Sequence, residues 1–184
     1  MMEGAPNLVL AGFMGTGKST VGKLLAECLQ RPLVDTDALI IELAGMPISM
    51  IFAEQGEPRF REIERQVCLE VATTRDAVVA TGGGALLDST TREAFLAEGV
   101  VVLLTCEPGA LLARLEESAR LGLRPLLGDD FATQVEHMLA AREPVYNSVA
   151  LQVDTTHIGP EETAERVLTL YCRAVEQGAT ACKP

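Results

Sequence analysis

Residues Gly12-Phe13-Met14-Gly15-Thr16-Gly17-Lys18-Ser19 match the pattern GxxxxGK[ST]. Glycines at this spacing let successive backbone N–H groups turn inward around an oxyanion. A helix starting just after them adds a partial positive charge. Lys18 then reaches the β- and γ-phosphates, and the Ser19 hydroxyl ligates Mg²⁺. By itself this motif means ATP or GTP and no more. Two carboxylates follow at Asp35-Thr36-Asp37. One acid at such a place holds Mg²⁺ through water, and the other orients or deprotonates a substrate hydroxyl. Asp37 is equally suited to capping a helix. Gly82-Gly83-Gly84 reads as a place where backbone N–H groups come close to an anion. Arg61 and Arg142 are candidate anion ligands, although Arg61 is also spaced for surface ion pairs with Glu57 or Glu64, and Arg142 stands beside Glu143. Arg124 stands in a Pro/Gly loop with no helical partner.

The elements that must position these residues alternate. Apolar runs at 7–11, 33–35, 77–81, 99–105 and 150–153 read as five strands. Helical spacing runs through 18–30, 37–44, 48–54, 57–74, 88–96, 108–117, 131–146 and 160–175. Strands alternating with helices imply an α/β fold, a parallel sheet covered on both faces. In such a sheet ligands sit beyond the carboxyl ends of the strands. The phosphate loop, the Asp35–Asp37 pair and the triple glycine all fall there. The segment 176–184 reads as a frayed tail.

The chain has 184 residues, 48% of them hydrophobic. That suits one domain with an aliphatic core, since there is no Trp and only two Tyr and five Phe. The formal charge of −11 argues against nucleic acid and anionic membrane as partners. No apolar run reaches the roughly 20 residues of a membrane helix, and residues 1–7 do not read as a secretory signal. A cytoplasmic location is the expectation. The five cysteines form no CxxC pair and read as buried free thiols. Arg59 reads as solvated, and His137 as a helix-surface or packing residue.

In order along the chain stand the phosphate loop with Thr20, Asp35-Thr36-Asp37, Ile51-Phe52, Gly56-Glu57, Phe60-Arg61 with Glu64 one turn on, Thr81-Gly82-Gly83-Gly84, Arg124-Pro125-Leu126-Leu127, and Arg142 with Tyr146. With these pieces the chain resembles the shikimate kinase family over nearly its whole length. The resemblance implies a three-layer P-loop NTPase fold of the nucleoside-monophosphate-kinase-like form, with five parallel strands in order 2-3-1-4-5. Residues 1–184 would form a single such domain, with a substrate-binding insert at about 37–74 and a lid at about 118–130. The implied reaction transfers the γ-phosphate of ATP to the 3-hydroxyl of shikimate, with Mg²⁺ as cofactor, in the route to chorismate and the aromatic amino acids.

The resemblance also implies roles. Gly15, Thr16, Gly17, Lys18, Ser19 and Thr20 hold the ATP phosphates, with Ser19 and Asp35 on Mg²⁺. Asp37 binds the ring hydroxyls and, with Lys18 and Arg124, is catalytic. Arg61, Arg142 and the backbone of Gly82, Gly83 and Gly84 bind shikimate, the arginines gripping its carboxylate. Glu64 orients Arg61. Arg124 enters from the lid. Arg114 lies on the adenine side, with Arg120 or His157 as alternatives. A monomer is expected. A kinase of another small polyol acid such as gluconate is the nearest alternative, and a non-catalytic ATP-binding module the next.

Overall fold

The computed structural model describes residues 4–120 and 130–181. Five strands form one parallel sheet: β1 (Asn7–Gly12), β2 (Leu33–Asp35), β3 (Val78–Ala80), β4 (Gly99–Thr105) and β5 (Leu151–Asp154). Their order is β2-β3-β1-β4-β5, as the family resemblance implies. The helices are α1 (Lys18–Leu29), α2 (Thr36–Ala44), α3 (Ile48–Ala72), α4 (Ser89–Glu98), α5 (Pro108–Arg120), α6 (Phe131–Asn147) and α7 (Pro160–Ala181).

Central β1 is buried along its full length, which is why it reads as an unbroken apolar run rather than an alternating one. Its side chains still alternate between faces. Val9 and Ala11 join Val79, Val101 and Leu103 under α3 and α4. Leu8 and Leu10 join Val78, Val102 and Leu104 under α1 and α7. A third cluster, Phe13, Leu111, Leu115 and Val135, joins the phosphate loop to α5 and α6.

α3 is two helices joined at Gly56, whose φ of 80° and ψ of 167° break the helical path. The break separates the stretches 48–54 and 57–74 read from the sequence, and Pro58 sits in the first turn beyond it, where its missing N–H costs nothing. α1 stops one residue short of the expected 30, because Gln30 takes a left-handed cap.

Asp35 caps α2: its side chain accepts from the backbone N–H groups of Asp37 and Ala38, so the helix-cap alternative for Asp37 is not realised. Two expectations change. The tail is helical through Ala181 rather than frayed from 176. Of the cysteines, Cys68 is buried and Cys106 partly so, but Cys28 and Cys172 are exposed. α1 turns Val21, Gly22, Leu25 and Ala26 to the sheet, so the stripe containing Cys28 points outward. Cys182 and residues 121–129, Arg124 and most of the expected lid among them, lie outside the described residues. His137 is exposed, and Arg59 is half-exposed beside Glu62.

Candidate functional site

At the carboxyl end of β1 the loop enters α1 through Gly15 and Gly17, at φ 84° and 96°. Residues with a Cβ rarely adopt these angles. Lys18 Nζ donates to the carbonyls of Gly12 and Phe13, both at 2.9 Å. Thr16 is buried, and its hydroxyl donates to the same Phe13 carbonyl at 2.8 Å. Ser19 Oγ donates to Asp35 Oδ2 at 3.3 Å. A hydroxyl beside a carboxylate is a pair of hard oxygen donors, suited to Mg²⁺. Among the described residues no three His, Cys, Asp or Glu side chains gather as a metal cage. That fits a cation taking most of its ligands from phosphates and water.

Facing the loop is a cleft of about 480 Å³, lined by Lys18, Ser19, Thr20, Asp35, Asp37, Arg61, Glu64, the three glycines and Arg142. Capping by Asp35 leaves the Asp37 carboxylate to point into it. Arg61 bonds both sequence-spaced acids, Glu57 at 3.1 and 3.2 Å and Glu64 at 2.6 Å. The surface-pair reading is therefore right about the partners but not about the place. Arg61 is 34% exposed and Glu64 only 6%.

Burial works to lower the Arg61 pKa, but the hydrogen bonds and charges of Glu64 and Glu57 raise it overall. The Glu64 pKa is raised, because burial outweighs Arg61 and Asp37 adds like-charge repulsion. The pair thus favours its cation and strains its anion, as expected when the acid is the deeper partner. Beneath it, burial pushes the Cys68 thiol up to about 12, with help from the Glu64 and Asp37 charges. It is an inert packing group.

On the other wall, Arg142 Nη1 donates to the Gly83 carbonyl at 3.1 Å, and Tyr146 Oη donates to the same oxygen at 3.0 Å. The Arg142 guanidinium lies over the Phe13 ring, 4.6 Å from its centroid. Burial raises the Tyr146 pKa, which keeps the phenol a donor.

The triple glycine also meets a steric demand. The Gly82 N–H is taken by the Thr36 hydroxyl at 2.9 Å. A Cβ at Gly82 would lie 2.6 Å from Asp37 Oδ1 and 3.0 Å from Glu64 Oε1, and one at Gly84 would lie 2.5 Å from Arg61 Nη1. Side chains at these positions would fill the space that the charged groups occupy.

A neighbouring cavity of about 200 Å³ opens between the phosphate loop and α7, lined by Gly15, Thr20, Arg114, Thr155 and Ile158. Arg114 is fixed there by the Thr155 hydroxyl at 2.9 Å and the Thr155 carbonyl at 2.5 Å. Arg120 is 81% exposed beside Glu116, and His157 is exposed and outside the cavity lining. Of the three adenine-side candidates, Arg114 is the one positioned beside the loop. A further cavity of about 450 Å³, behind Phe13 and Thr16 along α6, lacks Lys18, Asp37 and both cleft arginines.

Sequence reasoning brought Lys18, Asp35, Asp37, Arg61, Gly82–Gly84 and Arg142 to one cleft, and the structure places them together. It missed the Phe13 ring under Arg142 and the Thr36 hydroxyl on Gly82. Phe13 occupies an unrestricted position of the motif, so no local signal marks it.

A P-loop cradle, a hydroxyl–carboxylate pair beside it and a facing cleft lined by acids and arginines, on a 2-3-1-4-5 sheet, are the parts of an ATP-dependent kinase of a small molecule. The shikimate kinase family model matches residues 14–171. The chain is 44% identical over 172 residues to a shikimate kinase of Xanthomonas euvesicatoria pv. vesicatoria, covering 92% of this chain and 94% of the relative. It is 36% identical over 168 residues to one from Caldanaerobacter subterraneus subsp. tengcongensis, with 91% and 96% covered. A shikimate kinase structure from Acinetobacter baumannii, in complex with shikimate, superposes with a TM-score of 0.82 at 34% identity, over 92% of this chain and 94% of that one. The chain belongs to the shikimate kinase family. A gluconokinase structure from Sinorhizobium meliloti, at 21% identity and a TM-score of 0.67 over 98% of each chain, shares the fold.

Proposed function

We propose that the cleft transfers the γ-phosphoryl group of ATP to the 3-hydroxyl of shikimate, giving shikimate 3-phosphate and ADP, with its residues in the following roles. The backbone from Gly15 to Thr20 and the Lys18 ammonium hold the phosphates. Lys18 exchanges its two carbonyl acceptors for phosphate oxygens. Ser19 and Asp35 would hold Mg²⁺ between them. When bound there, the ion neutralises charge developing on the phosphate oxygens. Asp37 accepts the hydroxyl proton as that oxygen bonds to the γ-phosphorus. The bond from the γ-phosphorus to the bridging oxygen breaks, and its electron pair leaves with ADP. Arg61 and Arg142 bind the substrate carboxylate from opposite walls, since guanidinium groups suit a planar carboxylate better than ammonium does. Arg124, by family resemblance, meets the transferring phosphate, and Arg114 borders the adenine. The segment 37–74 is the acceptor lobe and 118–130 the lid.

The observation that carries this reading is the placement of Arg61 and Arg142 in one cleft with Asp37 and the phosphate loop. It pairs recognition of a carboxylate with deprotonation of a hydroxyl. The test is turnover of shikimate and of gluconate with MgATP, the product located by ³¹P NMR. Phosphorylation of shikimate at the 3-oxygen with kcat/KM at least about 100-fold above gluconate is expected. Equal or preferred use of gluconate overturns the assignment.

A further inference from the structure

We infer that Phe13 is a positioning residue for the acceptor: its ring holds Arg142 where the substrate carboxylate is bound, so a residue of the phosphate loop sets acceptor affinity. The inference rests on the proposed role of Arg142 as a carboxylate ligand.

Phosphate binding places no demand on the Phe13 side chain, since only its backbone belongs to the cradle. Its carbonyl accepts from Lys18 Nζ at 2.9 Å and from the Thr16 hydroxyl at 2.8 Å. The side chain points the other way and is 1% exposed. It packs with Leu111, Leu115 and Val135, and the Arg142 guanidinium lies 4.6 Å from its centroid. A cation over an aromatic face is attracted by the ring's negative π surface, more strongly when shielded from water. Arg142 is also held by polar groups, the Gly83 carbonyl and the Tyr146 hydroxyl beside it. Gly83 in turn packs on the loop, where a Cβ would lie 3.3 Å from the Met14 nitrogen. Ring and carbonyl together hold the guanidinium on the loop's flank. An aliphatic side chain at position 13 fills the core but offers no negative face, leaving Arg142 to its polar partners alone.

The experiment titrates shikimate into the full-length wild type and into Phe13→Leu, Arg142→Ala and the double variant by calorimetry, with MgADP binding and thermal melting as controls. Phe13→Met is a second variant that fills the site without a ring. Each Phe13 variant should bind shikimate about three- to tenfold more weakly, with MgADP affinity unchanged. Its shikimate KM should rise more than its kcat falls. The double variant should bind no more weakly than Arg142→Ala alone, since both losses act through one group. A purely structural role for the ring gives losses that add, and that result overturns the inference. So does wild-type shikimate affinity in both Phe13 variants while Arg142→Ala is impaired. Unimpaired binding in Arg142→Ala overturns the carboxylate role itself and this inference with it.

Discussion

Lys18 rests on the carbonyls of Gly12 and Phe13, whereas Arg61 rests on the carboxylates of Glu57 and Glu64. The phosphate side of the cleft is main-chain architecture: left-handed glycines, a helix start and carbonyls that hold its lysine. The acceptor side is side chain against side chain, brought together from β2, α2, α3, the triple-glycine turn and α6. One consequence is electrostatic. The acceptor wall keeps Glu64 buried against Asp37, so its stability depends on pH. The other is local legibility: eight consecutive residues encode the first half, and the second exists only once the sheet has formed.

The largest expected effect separates chemistry from binding on the acceptor side. Asp37→Asn keeps the shape and removes the proton acceptor. In steady-state assays kcat should fall on the order of 10²–10⁴-fold, with shikimate affinity changed far less. A variant with near-normal kcat would leave Asp37 as a hydroxyl ligand only. On the phosphate side, Lys18→Ala should lower kcat by on the order of 10²–10³-fold. Lys18 donates to carbonyls of the loop itself, not into the apolar core, so the variant's melting temperature should stay near that of the wild type. An unfolded variant would show that the lysine holds the loop together rather than serving the phosphates.

A smaller effect sharpens the electrostatic contrast. Glu64→Gln weakens the hold on Arg61 and should raise shikimate KM about two- to fivefold. Its stability should respond to pH in a defined direction. The folded Glu64 pKa lies above its ordinary 4.5, with burial the main cause. Well below 4.5 the carboxyl is protonated in both folded and unfolded chains and contributes no pH dependence. As pH rises through the raised value, the folded state resists ionisation and wild-type stability falls. Glu64→Gln lacks this loss. The melting temperature of the variant minus that of the wild type should therefore increase from pH 4 to pH 7. A flat or decreasing difference contradicts the buried-carboxylate picture.

The strand pattern was readable because a buried parallel strand has no polar face to disguise it; β4 matches its sequence span at both ends. The phosphate loop was readable because its chemistry is contiguous. The roles of Arg61 and Glu64 were open, since i, i+3 and i, i+4 spacing looks the same on a surface as at the wall of a cleft. Only the depth of Glu64 distinguishes them, and depth is tertiary. The sequence suited Asp37 to a cap, but α2 starts at Thr36 and Asp35 takes that place, a boundary earlier than the pattern shows. The steric need for the triple glycine was not legible. Its backbone was expected to display N–H groups, but the neighbours that forbid a Cβ, Asp37, Glu64 and Arg61, stand 18 or more positions away in sequence. The outward turn of Cys28 was hidden because Gly22 and Ala26, small residues with weak apolar signal, take the face against the sheet.

The central claim is that two arginines from different helices clamp one carboxylate. Calorimetric titration of shikimate into wild type, Arg61→Ala, Arg142→Ala and the double variant tests it most directly. Each single variant should lose roughly tenfold to over a hundredfold in shikimate affinity, the worth of a charge-assisted hydrogen bond. MgADP affinity should be nearly unchanged, and the double variant less impaired than the product of the two losses. A shikimate analogue without the carboxylate should bind the wild type as weakly as shikimate binds the variants. Unchanged shikimate affinity in both single variants would contradict the clamp and leave the arginines as structural members of the cleft wall.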